Sequence, residues 1–536
     1  MKYIIDSDEL KLNTFETKDD INLIYQYFIH DNIERRKELE FCLKQNLENK
    51  NINKIYLLNE KIYSAKELGL TNHNNKIKQI NIKNRLTFKK VFEFIKNEKI
   101  NGYCVIANGD IIYDETLTNL FKTNIANEKG VFTQLRLELN KSNEINKDKI
   151  KIFGPRFDSQ DVWIVHSKFI PEEKENSIFN FNFGKPGCDN KIVYLFKILG
   201  YNVYNYPYFI KSYHNHKTQI RNYSREDLVI PPWAYIAPKL DNFKTKVDFK
   251  DYFNDIGYIN VKKIMNFTDN CSKFNFNDHK KLTNVVNNNI DNNPFYISNI
   301  NFNTLNLITT TLDYYTDTID ETKYKNELKM NDLNNNVEEN IDFLKNYMKS
   351  ILNSNMLLIN TCYDQEYKQM GNMYDTIYKS IDKDKLLWSK TLNIFDYIKL
   401  EPWTLSLKNK KILLITPYND LIKLQINDIN KIYQPSIFNN SKFDFLDIEM
   451  VDINNLHTNN LNKVLSNIDN YDFDIALCFD DIYGNIISHE LYKKNKSCIN
   501  MGNILLLYFG IYTKKDILEY KEAIELYFNS YWKLLT

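Results

Sequence analysis

No two cysteines of this chain form a CxxC pair. The seven lie far apart, at Cys42, Cys104, Cys188, Cys271, Cys362, Cys478 and Cys498, which argues against a disulfide framework and against a structural zinc site of the usual spacing. Cys104 and Cys478 fall inside apolar runs and read as buried thiols. Excess charge is also lacking: 70 basic against 69 acidic residues leave a net charge of +1, so there is no global electrostatic reason to bind nucleic acid. No apolar run reaches the length of a membrane span, and the start, MKYIIDSDELK, lacks the apolar core of a signal peptide. Neither GxGxxG nor GxxxxGKS/T occurs, which disfavours a dinucleotide-binding fold and a P-loop. The expectation is a soluble protein of a reducing, cytoplasmic compartment.

What is present is a chain of 536 residues, 43% of them hydrophobic, enough for roughly three domains or two large ones, each with an ordinary core. Asn, Ile, Lys, Tyr and Phe are abundant, with 37 Tyr and 33 Phe. All five can be coded by A/T-rich codons, so Asn tracts and Lys runs carry little functional meaning here.

Residues 1–20 read as polar surface. Leu23–Ile29 reads as a buried strand, followed by a helix over Ile33–Leu47 that Asp31 or Asn32 caps. Arg35 and Arg36 sit in its first turn, where cations oppose the helix dipole. They are either a solvated basic turn or a diphosphate contact, since helix N-termini and arginines both favour phosphate. Lys54–Asn59 and Lys76–Ile82 are further strands, and Leu86–Ile95 is an amphipathic helix opened by Asn84 and Arg85. A strand then ends in Asn108-Gly109-Asp110, within VIANGDIIY. This alternation of strands and helices predicts an α/β domain with a largely parallel sheet, which binds ligands at the carboxyl ends of its strands. Lys122–Lys151 is charged and Asn-rich and reads as a surface excursion, and Phe157–Val165 as a strand carrying Asp158 and Asp161. Asp161 enters a buried run and needs a partner or a task.

Phe183–Asn222 gathers the most chemistry. A turn with Gly184, Pro186 and Gly187 leads to Asp189 at the start of a helix that Gly200 stops. An extended run, Tyr201–Ile210, follows and delivers His214 and His216. The helix start favours the carboxylate form of Asp189; a simple helix cap is the plainer reading. For the histidines, the plainer reading is a strand-end pair facing solvent.

The pairing of NGDI with SQDVWI, PGCDN and a following HNH resembles GT-A-fold glycosyltransferases of capsule and surface-glycan pathways. The resemblance covers residues 1–240 and implies a Rossmann-like nucleotide-sugar domain. In that pattern Asn108-Gly109-Asp110 stands in the Asp-x-Asp slot, with Asn108 replacing the first acid. The resemblance implies a divalent cation, Mn2+ or Mg2+, held by Asp110 with His214 or His216. It implies a nucleotide-sugar such as a UDP-sugar near Asn108, Asp110, Arg35 and Arg85, with a glycan or other hydroxyl as acceptor. Asp189 would be the general base of an inverting reaction or an acceptor ligand of a retaining one, with Asp161 on the acceptor side.

Residues 241–340, rich in Asn and Asp, read as a linking region with a few short elements, such as Thr304–Tyr315. Residues 341–536 read as a second α/β domain, with strands Met356–Ile359, Lys411–Thr416, Ile475–Phe479 and Cys498–Met501 and helices Ile341–Ile351 and Ile486–Lys493. Its wording resembles the GT-D-like domains of surface-glycan enzymes, and Asp364-Gln365-Glu366 matches their Asp-x-Glu spelling without its Arg- and Gly-rich context. That implies a second transferase site at Asp364 and Glu366; a glycan-binding or structural domain is the alternative. For the whole chain the alternatives are a nucleotidyltransferase of sugar metabolism and a non-catalytic glycan-binding or assembly protein.

Overall fold

The computed structural model describes residues 2–13, 18–139, 151–154, 156–218, 220, 223–240, 278–300, 310–311, 313–314, 320–330, 337–359, 381–439, 441–447, 458–479 and 483–535. The chain divides into two compact units, Met1–Asn270 and Cys271–Thr536.

The first unit opens with β1 (Lys2–Asp6) and β2 (Ile21–Tyr25). Helix α1 (Ile33–Glu48) begins where the Asn32 side chain accepts the Arg35 backbone N–H at 2.9 Å, so Asn32 is the cap. Leu39, Cys42 and Leu43 form its buried stripe. Next come β3 (Lys54–Asn59), β4 (Ile77–Asn81) and helix α2 (Phe88–Asn97), capped by Thr87. The run through Asp110 splits into β5 (Tyr103–Ala107) and β6 (Ile111–Tyr113). There follow β7 (Gly130–Gln134), β8 (Leu137–Glu138), β9 (Lys151–Ile152), β10 (Val162–His166), helix α3 (Cys188–Ile198), β11 (Asn202–Tyr204), β12 (Ser212–His214) and β13 (Trp233–Ala237).

Seven strands form the main sheet in the order β11-β7-β10-β5-β2-β3-β4. Only β10 is antiparallel to its neighbours, β5 and β7. The other pairings are parallel, so six strands present their carboxyl ends at one edge. Strands β2, β5, β7 and β10 are buried along their whole length, as a sheet covered on both faces requires. A smaller sheet, β6-β12-β8-β9, stands beside that edge. Asn46 of α1 ties β6 down, donating to Ile111 O at 2.8 Å and accepting from Tyr113 N at 3.2 Å.

Two expectations are corrected. Lys122–Lys151 is not a surface excursion throughout: Gly130–Gln134 is a buried strand inside the main sheet. Its run GVFTQ has the apolar and β-branched content of a strand, which the charged flanks obscure. The first residues are not merely polar surface either, because β1 pairs in parallel with β13 and buries Ile5.

The second unit begins with helix α4 (Asp278–Asn289) and β14 (Tyr296–Asn299). Helix α5 (Val337–Leu352), β15 (Met356–Ile359), β16 (Leu386–Trp388), β17 (Lys411–Thr416), β18 (Lys442–Asp447), β19 (Ile475–Cys478), helix α6 (Gly484–Lys493) and β20 (Ser497–Asn500) follow. Seven of its strands form one sheet in the order β16-β15-β14-β20-β19-β17-β18, all parallel. The strand order reverses between β14 and β20, the switch point of such a sheet. There the Asn485 side chain bonds both backbone groups of Asn299, and Asn500 bonds Asn485. A Cβ on Gly484 would lie 2.5 Å from Asn500 Oδ1, so that close approach needs glycine. The stretch 241–340, expected to link two domains, thus supplies α4 and the central strand β14 to this unit.

Candidate functional site

Asp110 lies in the turn between β5 and β6, at the carboxyl edge of the main sheet. The register of the small sheet brings its partners to it. Strand β12 is antiparallel to β6, with His214 opposite Ile111, and parallel to β8, with His214 beside Glu138. The ladder extends one step further, since Asn215 N donates to Asp110 O at 2.9 Å. His214 therefore sits between two carboxylates: Nε2 is 3.3 Å from Asp110 Oδ2 and Nδ1 is 3.2 Å from Glu138 Oε2. His216 Nδ1 is 3.9 Å from the same Oδ2. From the first turn of α1, Arg35 donates through Nη2 to Oδ2 of Asp110. Its Nη1 bonds Glu38 Oε2 at 2.8 Å and Asn215 O at 3.1 Å. Arg35 is buried, which rules out the solvated-turn reading, whereas Arg36 is spent on the carbonyl of His30.

Charge sets the protonation of this group. Burial opposes ionisation of Asp110, yet His214 and Arg35 hold its carboxyl well below the usual range. Burial likewise works against a charged His214, but Asp110 and then Glu138 raise it to about 9. His216 moves the other way, lowered by burial and by the Arg35 guanidinium. Asp110, His214 and His216 each offer a ligand atom, and these lie within 4.8 Å of one another. Oδ1 of Asp110 is buried without a hydrogen-bond partner. One carboxylate and two imidazoles fit a divalent transition-metal ion such as Mn2+, and Glu138 stands behind His214 as an outer carboxylate.

A second group adjoins the first through Glu138. Arg136 bonds Glu138 Oε1 at 2.7 Å and Asp161 Oδ2 at 2.5 Å. Asn108 Nδ2 donates to the other oxygen of Asp161 at 2.8 Å. Both oxygens of Asp161 are thus engaged, and the chain Asp110–His214–Glu138–Arg136–Asp161–Asn108 returns to within two residues of its start.

Asp189 lies in the first turn of α3, after Gly187, whose φ of +79° sets the entry. Its contacts are light: Gln160 N donates to it at 3.4 Å and Asn190 N at 3.1 Å. Burial, then the nearby Asp161 and Asp158 carboxylates, push its carboxyl up to about 7. The helix start alone favours the anion; burial and two like charges outweigh it. The turn ahead of α3 is fixed by Phe183, which stacks on Phe88 with ring centres 3.9 Å apart. Arg85 bonds Phe183 O at 2.9 Å and Gly184 O at 3.4 Å. It braces this turn and makes no contact with Asp110.

The structure thus gathers Arg35, Asp110, His214 and His216 in one group, Asn108 and Asp161 in the adjoining one, and Asp189 beside Asp161. Asp364 and Glu366 lie outside the described residues. Sequence reasoning missed Glu38, Arg136 and Glu138. The alternation Leu135-Arg136-Leu137-Glu138-Leu139 was the available signal, a strand with one apolar and one charged face.

No protein-family model matches the chain, and no curated protein does. Solved structures match over part of it. A 4-diphosphocytidyl-2C-methyl-D-erythritol synthase from Anaerococcus prevotii is 14% identical over 39% of this chain and 94% of its own, with a TM-score of 0.23. The mannosyltransferase PcManGT from Pyrobaculum calidifontis, solved with GDP-Man and Mn2+, is 10% identical over 40% of this chain and 61% of its own, at 0.28. GalNAc-T7, solved with UDP, GalNAc and Mn2+, is 9% identical over 38% and 44%, at 0.26. At this identity and overlap, function has to be argued from the residues of the site.

Proposed function

We propose that the first unit is a glycosyltransferase that moves a sugar from a nucleotide-sugar to a hydroxyl acceptor, with a divalent cation at Asp110, His214 and His216. The observation that carries this reading is the meeting of those three side chains with Arg35, at the carboxyl edge of a mostly parallel sheet. Two imidazoles in the ligand set favour Mn2+ over Mg2+, which prefers oxygen ligands. When bound, the cation supplies Lewis-acid neutralisation of a leaving nucleoside diphosphate. Arg35 and the N-terminal N–H groups of α1 add to that neutralisation from the protein side.

Asp189 takes the proton of the acceptor hydroxyl. It is better suited than Asp161, whose two oxygens are held by Asn108 and Arg136, and a carboxyl at about 7 is poised for proton transfer near neutral pH. Asp161 then keeps the pKa of Asp189 high and helps orient the acceptor. Arg85 serves the site by fixing the turn that carries Asp189. The second unit is read as an α/β companion domain, and a glycan as the acceptor class.

Calorimetric titration of the full chain with UDP- and GDP-sugars, with and without Mn2+, tests the reading. Cation-dependent binding of at least one donor, lost in Asp110→Asn, is expected. No donor binding by the wild-type chain, or binding unchanged in Asp110→Asn, would overturn it.

A further inference from the structure

We infer that Arg35 and the divalent cation compete for one oxygen of Asp110, and that Arg35 turns to the donor's diphosphate when the cation holds that oxygen. This rests on the metal and donor reading above and adds an order to it: cation first, diphosphate second.

Three groups converge on Oδ2 of Asp110. Arg35 Nη2 donates to it, His214 Nε2 lies 3.3 Å away and His216 Nδ1 3.9 Å away. The oxygen nearest both candidate imidazole ligands is therefore the one a guanidinium already uses. A dication shared by that oxygen and the imidazoles would face the guanidinium at close range, and like charges in a buried site repel strongly.

Arg35 has somewhere to turn. Its Nη1 is anchored to Glu38 Oε2 and Asn215 O. Glu38 is itself fixed, accepting from Lys217 N at 2.8 Å, Thr218 N at 2.9 Å and Thr218 Oγ1 at 3.1 Å. The guanidinium can pivot on Glu38, release Asp110 through Nη2 and remain in the first turn of α1. There an anionic group meets both a free guanidinium N–H and the helix N-terminus. Arg35 thus opposes the cation while no diphosphate is present and assists the diphosphate once the cation has bound.

The test is calorimetry on the full chain at pH 8 with Mn2+ alone, then with UDP and with GDP at saturating Mn2+, comparing wild type with Arg35→Gln. The variant is expected to bind Mn2+ about tenfold more tightly, the worth of one lost charged hydrogen bond, and the better-bound nucleotide about tenfold more weakly. Equal or weaker Mn2+ binding by the variant would overturn the inference and place the cation on Oδ1, with Arg35 retained on Oδ2. If neither protein binds Mn2+, the metal reading fails and this inference with it. If wild type binds and the variant binds no tighter, only this inference fails. Should Arg35→Gln misfold, Arg35→Lys carries the test, because the single nitrogen of an ammonium lacks the two-nitrogen fork by which Arg35 holds Glu38 and Asn215 through Nη1 and Asp110 through Nη2. A several-fold gain in Mn2+ affinity is then expected, and none would overturn it.

Discussion

Replacing Asp189 by Asn should separate catalysis from stability, in opposite directions. In the folded protein burial and the charges of Asp161 and Asp158 raise this carboxyl from 3.8 to about 7. The folded state therefore holds the proton more tightly than the unfolded chain. Wild-type stability from this group is complete below about pH 3.8 and is lost as the pH rises through 7. At about 1.4 kcal/mol for each tenfold change in proton affinity, the charged form costs up to about 4 kcal/mol at pH 8. Asp189 is partly exposed, so solvent reduces this, and between about 2 and 4 kcal/mol is expected. Asn keeps the shape and cannot ionise. Asp189→Asn should thus be more stable than wild type by that amount at pH 8, with the gap falling below about 1 kcal/mol near pH 4. Turnover should drop about 100-fold or more with donor binding intact. Urea unfolding of both proteins at the two pH values and steady-state kinetics at pH 8 measure the two halves. A variant that is stabilised but fully active would make Asp189 a burial site without a catalytic task. A variant with no stability gain at pH 8 would refute the raised carboxyl itself.

Further outcomes follow from the same geometry. Glu138→Gln removes the carboxylate behind His214 and should weaken Mn2+ binding by about 10- to 100-fold, measured by calorimetry, while circular dichroism stays unchanged; full Mn2+ affinity would exclude Glu138 from a supporting role. Because His214 is raised to about 9 and an imidazole must lose its proton to bind a metal, Mn2+ affinity should climb from pH 6 to pH 9, with proton release at pH 8 visible as a buffer-dependent heat. A pH-independent affinity would remove His214 from the ligand set. A fragment ending at Asn270 should fold and retain Mn2+ binding, since residues 1–270 form one compact unit; an unfolded fragment on circular dichroism would mean that its core needs the rest of the chain.

Much of this was legible from the sequence alone. Apolar periodicity located α2 and α3, and apolar runs the strands β2, β3 and β5, because a helix or strand writes its own pattern into neighbouring residues. Capping chemistry put a helix start just after Asn32, and glycine at position 200, with φ of +79°, ended α3 as expected. Arg35, Asp110, Asp161, Asp189 and the two histidines stood out as polar groups placed at the ends of apolar elements. What the sequence could not supply was which ends meet. The place of His214 between Asp110 and Glu138 is set by β12 pairing with β6 on one side and β8 on the other. Such pairing is non-local and leaves no periodic trace in either strand. The same holds for Arg85, a cation at a helix start like Arg35, which the fold assigns to the carbonyls of Phe183 and Gly184. The charge state of Asp189 also waited on tertiary structure: sequence places the carboxylate in a helix's first turn, but only packing decides that burial, and then the nearby Asp161 and Asp158, push it to about 7. Local sequence thus determined the elements and the reactive residue types, and strand register determined their neighbours, their protonation and the site they share.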